Sequence, residues 1–262
     1  MKNVTLIALA LSFALAACSD SNTGTVSFAL TARQAAAPAP APSAAFSGTT
    51  AAPSVTATGD STLITLGNDS IIIRSAQVVL RKVELKRSDV ASCDAVAGND
   101  DCEEFETGAT LVTLPLGSTT IAQEVSVAAP PGTFNALEFQ IHKPSSSEDA
   151  AFIAANPDFA AISIRVTGTY SQAGTRSTFS FTSDVDQSQE ATLPSPATVQ
   201  AGQSLNVTLR VELSGWYLNG AKTALVDPAS ANKGGANESV VANNIQNSFK
   251  AFEDDNHDGL EG

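Results

Sequence analysis

Val78-Val79-Leu80-Arg81-Lys82-Val83-Glu84-Leu85-Lys86-Arg87 alternates residue by residue and is rich in β-branched and long side chains. Val79, Arg81, Val83, Leu85 and Arg87 share one parity; Val78, Leu80, Lys82, Glu84 and Lys86 share the other. Successive strand residues face opposite ways, so this stretch predicts a strand with one face solvated in its later half. Just upstream, Leu63-Ile64-Thr65-Leu66 and Ser70-Ile71-Ile72-Ile73 flank Gly67-Asn68-Asp69, which has the composition of a hairpin turn.

The same signals recur outward from this hairpin. Gly24 to Thr31, Thr110 to Leu114, Ile121 to Val127, Ala136 to Ile141, Ser163 to Tyr170, Ser177 to Thr182 and Ser204 to Leu213 read as strands. Pro130-Pro131-Gly132 reads as a tight turn between two of them. A short helix is expected over Ser147 to Ala155, with Ser147 as cap and Glu148-Asp149 in the first turn. A second is expected over 238–252, capped by Asn237, because Val241, Ile245, Ser248, Phe249 and Phe252 recur at spacings of three and four. Many short strands, few helices and frequent turns place the chain in the all-β class, as a β-sandwich with a short mid-chain helix and a C-terminal helix. Ala35 to Ser54 is dominated by Ala and Pro and cannot build a core, so 35–58 is expected to be a flexible loop within the domain.

The N-terminus carries an address. Lys2 precedes an apolar run from Val4 to Ala17, shorter than the roughly 20 residues that span a bilayer. It fits the hydrophobic region of a signal peptide, residues 1–17, and the cut falls at Leu15-Ala16-Ala17-Cys18, which matches the bacterial lipobox. The Cys18 thiol would then take a diacylglycerol and its amine a further acyl chain such as palmitate. Each buried methylene contributes about 0.8 kcal/mol, so several chains anchor stably. Residues 18–23 read as a polar tether and 24–262 as one sandwich domain. By resemblance to lipoprotein sorting signals, Ser19 does not ask for inner-membrane retention, which points to the outer membrane. The formal charge of −13 repels phosphate backbones and argues against a nucleic-acid partner.

Several stretches resemble a family of uncharacterised bacterial lipoproteins that carry a domain of unknown function. They are Gly24-Thr25-Val26-Ser27-Phe28; Val78 to Leu85; Leu111-Val112-Thr113-Leu114-Pro115-Leu116; and Pro131-Gly132-Thr133-Phe134 followed by Leu137-Glu138-Phe139. The resemblance covers residues 24 to 145, and the part after Val166-Thr167-Gly168-Thr169-Tyr170 looks like the C-terminal half of related lipoproteins. It implies a Greek-key, transthyretin-like (prealbumin-like) sandwich and an envelope address. It implies no ligand and no activity.

Asp254-Asp255-Asn256-His257-Asp258-Gly259 fits D-x-N-x-D-G, the opening of an EF-hand-type calcium loop. Asp254, Asn256, Asp258 and the Leu260 carbonyl are the candidate metal ligands, and calcium is the candidate cofactor. The chain ends at Gly262, before the position where the loop's bidentate Glu would stand, and Glu261 is out of register. The other reading is a solvated acidic tail. With Cys18 lipidated, Cys93 and Cys102 remain, and in an exported protein they read as a disulfide worth about 2–3 kcal/mol. A zinc site is the rival, but two cysteines without nearby histidine leave a tetrahedron incomplete. The acidic run between Cys93 and Glu106 reads as a solvated protrusion or a weaker cation site.

His142 stands in no motif, His257 falls at a non-ligand position, and no nucleophile elbow, zinc helix or phosphate loop occurs. Trp216-Tyr217 can close the core or stack on a sugar. The chain is therefore expected to be a non-enzymatic envelope module for adhesion or binding of a protein or glycan. The alternatives are a calcium-stabilised structural component of an envelope assembly, or a hydrolase with a carboxylate pair that the sequence conceals.

Overall fold

The computed structural model describes residues 23–32, 52–89, 103–106, 108–117, 122–256, 258–259 and 261. In chain order the strands are β1 (Gly24–Thr31), β2 (Ser54–Thr58), β3 (Ser61–Leu66), β4 (Asp69–Arg87), β5 (Glu103–Glu106), β6 (Thr110–Thr113), β7 (Ala122–Ala129), β8 (Gly132–Ile141), β9 (Ile164–Gln172), β10 (Thr175–Ser183), β11 (Gln187–Val199), β12 (Ser204–Val211) and β13 (Phe249–Glu253). The helices are α1 (Ala150–Ala155) and α2 (Glu238–Gln246). The chain is an all-β sandwich of a four-stranded sheet and a nine-stranded sheet. No helix among the described residues is long and apolar enough to cross a membrane.

The small sheet runs in the order β13-β12-β1-β7. β1 lies parallel to β12, with Val26, Phe28 and Leu30 level with Leu205, Val207 and Leu209. All six side chains are buried in the core. Burying a side chain of this size stabilises by about 1.5–3 kcal/mol, which makes the pairing strong despite its parallel register.

β4 organises the large sheet. β3, β6 and β5 follow one another along one edge, and β9 then β8 along the other. Its core-facing residues are Ile71, Ile73, Ala76, Val78, Leu80, Val83 and Leu85. Parity slips twice, once between Ile73 and Ser75 and once between Arg81 and Glu84, and the pairing register shifts at both places. Lys82 has φ 51° at the second slip. An extra residue at a bulge turns all later side chains over, so Val83 and Leu85 take over from Val78 and Leu80 as the inward set. The segments read separately as Ser70–Ile73 and Val78–Arg87 are one strand of 19 residues.

Three other expectations are corrected. Residues 54–58, placed in the flexible loop 35–58, form β2, whose Val55 packs on the core and whose register runs Ser54–Thr65 to Thr58–Ser61. The helix expected over 238–252 stops at Gln246. Asn243, Asn244 and Asn247 explain this: Asn247 Nδ2 donates to the Asn243 carbonyl at 2.7 Å, and Asn244 Nδ2 donates to the Trp216 and Leu218 carbonyls at 3.1 and 2.8 Å. Side-chain amides that compete for backbone groups end a helix readily. Phe249 to Glu253 then pair with β12 as a strand. The mid-chain helix begins at Ala150 and not at Ser147, with Asp149 at its cap position making no capping hydrogen bond.

Pro130 and Pro131 carry the chain from β7 in the small sheet to β8 in the large one. The leader 1–17, Cys18, Cys93, Cys102, His257 and Leu260 lie outside the described residues.

Candidate functional site

The C-terminal turn is built on the outer face of the small sheet. Asp254 is 2 % exposed. Its Oδ2 accepts from the Thr208 hydroxyl and the Gly259 amide, both at 2.9 Å, and its Oδ1 accepts from the Asp258 amide at 3.1 Å. Asn256 Oδ1 also accepts from the Asp258 amide, at 3.0 Å. Gly259 adopts φ +75°, and a Cβ there would stand 3.0 Å from the Thr31 hydroxyl, so only glycine fits. The side-chain oxygens of Asp254 and Asn256 therefore close one turn on the Asp258 and Gly259 amides. Asp254 serves as its buried staple, while Asn256 is exposed and Asp258 half-buried. Phe252 lies beneath the turn with the Arg210 guanidinium 5.1 Å above its ring. Pro194, Ser195, Glu253, Asp255 and Glu261 line a concavity of about 270 Å³ alongside. Burial, with Asp255 adding to it, pushes the Glu253 carboxyl above its ordinary value.

Trp216 and Tyr217 are both fully buried. Trp216 Nε1 donates to the Ser248 hydroxyl at 2.8 Å, and the Tyr217 ring meets Phe179 and Phe181 edge to face. Both aromatics close the core.

A polar cluster that the sequence did not mark lies where β8 ends. The His142 amide donates to the Val79 carbonyl at 2.9 Å, which holds the residue against β4. The imidazole is 3 % exposed. Its Nε2 stands 2.8 Å from Asp149 Oδ2, which also accepts from the Ser145 amide at 2.9 Å. Burial alone would push the Asp149 carboxyl up, but the Ser145 amide, His142 and Arg81 outweigh it and hold it below its ordinary value. Arg81 pairs with Glu148 at 2.8 Å. Donor atoms of His142, Glu148 and Asp149 lie within 4.8 Å of one another. On the other side of the ring, Asp186 Oδ1 stands 3.6 Å from His142 Nδ1 and accepts from Gln140 Nε2 at 2.8 Å. His142 and Asp149 are seven residues apart, but Asp186 arrives from a distant segment, so no local spacing announces the group.

A third feature is a concavity of about 400 Å³ at the hairpin tips, lined by Leu66, Asn68, Asp69, Ala173, Thr223 and Ala224. It lies at the start of β4. The other end of β4 neighbours the start of the domain, since Arg87 packs against Gly132, Gly132 pairs with Val199, and Val199 touches Gly24.

No protein-family profile matches the chain, and no curated protein matches it. Among solved structures, MbnP from Methylosinus trichosporium aligns at 14% identity over 88% of this chain and 99% of that one, with a TM-score of 0.32. A likeness that slight carries no statement about fold, ligand or activity.

Proposed function

We propose that this chain is a lipid-anchored cell-envelope protein, held on the outer membrane through Cys18, that works as a non-enzymatic binding or adhesion module. The observation that carries this reading is the direction of β4. The described chain starts at Thr23, near the Arg87 end of that strand, and Thr23 is five residue steps on from Cys18. At about 3.3–3.6 Å per residue the tether reaches at most about 18 Å. On this reading the Arg87 end would face the membrane. The Asp69 end of the 19-residue β4, with its tip concavity, would then lie as much as about 60 Å further out. The concavity offers apolar, amide and hydroxyl groups with one carboxylate, a mixture suited to a glycan or a protein loop.

The test has two arms. Mass spectrometry of the membrane fraction should find acylated Cys18 as the first residue, and Cys18→Ser should release the chain into the soluble fraction. An unmodified, uncleaved N-terminus would remove the anchor. The mature domain should bind members of a glycan or surface-protein array through its tip, and Thr223→Arg should abolish that binding. Binding that survives Thr223→Arg would remove the tip from the account.

A second reading, a calcium-stabilised structural component of an envelope assembly, is favoured by the turn around Asp254. Its alternate oxygens and positive-φ glycine match the first half of a calcium loop. Millimolar calcium should raise the melting temperature of the mature chain, and Asp258→Asn should abolish the rise. An unchanged melting temperature would eliminate this reading.

A further inference from the structure

Five strands of the large sheet form one continuous ladder in the order β10-β9-β4-β3-β2. Its inner face belongs to the core, where Ile64, Ile71, Ile73, Tyr170 and Phe179 are buried. Its outer face has a different chemistry. One rung crosses all five strands as Ser54, Thr65, Ser70, Ser171 and Arg176. The next outward rung sets Leu63 and Ile72, both half-buried, among threonines. A third carries Ser75, Thr167 and Ser180, and a fourth Gln77, Arg165 and Thr182.

No aspartate or glutamate stands on these rungs. In a chain of formal charge −13 this is a local reversal of sign. Arg74, beside Ser75 at the first register shift of β4, and Arg176 are both exposed. Neither makes an ion pair or hydrogen bond with another described residue. Arg165 is half-buried and pairs at the margin with Asp158 at 2.6 Å. At physiological ionic strength charges beyond about 8 Å are largely screened. A ligand lying on the face therefore meets the arginines and not the charge of the whole chain.

Arg176 is level with Ser171, six residues along β9 from Arg165. At about 3.4 Å per residue the arginines span roughly 20 Å, and five strands about 4.8 Å apart make the face about as wide. A small anion would touch one of them, whereas a linear polymer can touch all three. A guanidinium fork matches a planar carboxylate through two parallel hydrogen bonds, which a lysine point charge does not, and no lysine stands on the rungs. Serine and threonine hydroxyls both donate and accept, as sugar hydroxyls do. Leu63 and Ile72 offer an apolar seat to the C–H side of a sugar ring. We propose that this face binds an acidic polysaccharide, a chain of sugars that carry carboxylates. Nucleic acid fits less well, because a duplex packs one charge per about 1.7 Å and no aromatic side chain stands on the rungs for a base to stack on. The face is distinct from the tip concavity, whose one charged lining group is Asp69, and it does not depend on the anchor at Cys18.

The purified chain is titrated calorimetrically with sodium polygalacturonate at physiological ionic strength. EDTA is present, so that calcium cannot bridge the polymer to acidic side chains. The chain should bind polygalacturonate and ignore dextran. Arg74→Gln and Arg176→Gln should each weaken binding by about three- to fivefold, and together by about tenfold or more. Both side chains are exposed, so the melting temperature should not move. Lys250→Gln removes the same charge from β13 and should leave binding unchanged. Thr223→Arg, which alters the tip, should not weaken it. Four outcomes overturn the proposal: no binding of polygalacturonate, equal binding of dextran, an unaltered affinity in the double variant, or binding of phosphatidylglycerol vesicles or duplex DNA as tight as that of polygalacturonate. The last would assign the face to phosphate.

Discussion

Tyr217→Phe should stabilise this protein, although it deletes a polar group from a fully buried residue. The ring is held by Phe179 at 5.9 Å and Phe181 at 5.6 Å between centroids, and phenylalanine keeps both contacts. The hydroxyl is buried and makes no hydrogen bond. An unsatisfied buried polar group costs about 1–3 kcal/mol, which the substitution returns. The vacated oxygen leaves a void of roughly 10 Å³, worth about 0.2 kcal/mol against the variant. The net gain is about 1 kcal/mol, or roughly 2–4 °C in melting temperature for a domain of this size. Calorimetry at pH 7 measures it. Burial also pushes the Tyr217 phenol well above its ordinary value. The unfolded chain therefore ionises first, so this contribution is intact below about pH 10 and is lost as pH rises beyond it. Tyr217→Phe should reduce the alkaline loss of stability, leaving the part due to Tyr170, whose phenol is raised by burial, Asp69 and Asp227. A lower melting temperature in the variant, or an unaltered alkaline slope, would show that the hydroxyl has a partner and refute the reasoning.

Gly168→Ala should destabilise by about 1–3 kcal/mol, because its Cβ would stand 2.0 Å from the Ile72 carbonyl and 2.9 Å from the Phe179 ring; urea unfolding checks the value. Asp149→Asn should flatten the acid limb of the stability curve. The carboxyl is held below its ordinary value, so its contribution is present above about pH 4 and is lost as pH falls through the folded value; melting temperatures at pH 3 and pH 6 read it directly.

The sandwich was legible in the sequence because alternation survives wherever one strand face is buried. Ser61 to Leu66 shows this, with Thr62, Ile64 and Leu66 turned inward. Legibility failed where a local rule was broken. In β4 the polar residues after Leu80 looked like a solvated face, but the bulge at Lys82 exchanges the two faces of the strand, and Glu84 and Lys86 are buried as well. Lys86 Nζ lies 2.6 Å from Glu190 and 3.3 Å from Glu138, and that pairing makes its burial tolerable. β11 escaped notice because Pro194 and Pro196 suppress strand propensity; they fall in its register shift between Thr192 and Ala197, where no ladder amide is required. The helical spacing through Phe252 was real only as far as Ile245, beyond which pairing with β12 overrides it. The turn at Asp254 was visible because the residues that form it are contiguous in sequence. His142 and Asp186 meet only after β8 and β11 have paired, with Gln187 opposite Ile141.

The parallel seat of β1 beside β12 sets an order of events during biogenesis. Thr25 lies level with Ser204, so the first strand to emerge waits for one of the last. At about 5–20 residues per second, on the order of ten seconds of synthesis separate the two. During that interval β1 has β7 as its strand partner and Phe105 against Phe28, and such distant contacts close slowly. The delay holds the small sheet incomplete until synthesis is almost finished, and it leaves any product truncated before Ser204 without the partner of its first strand, a ready target for proteases.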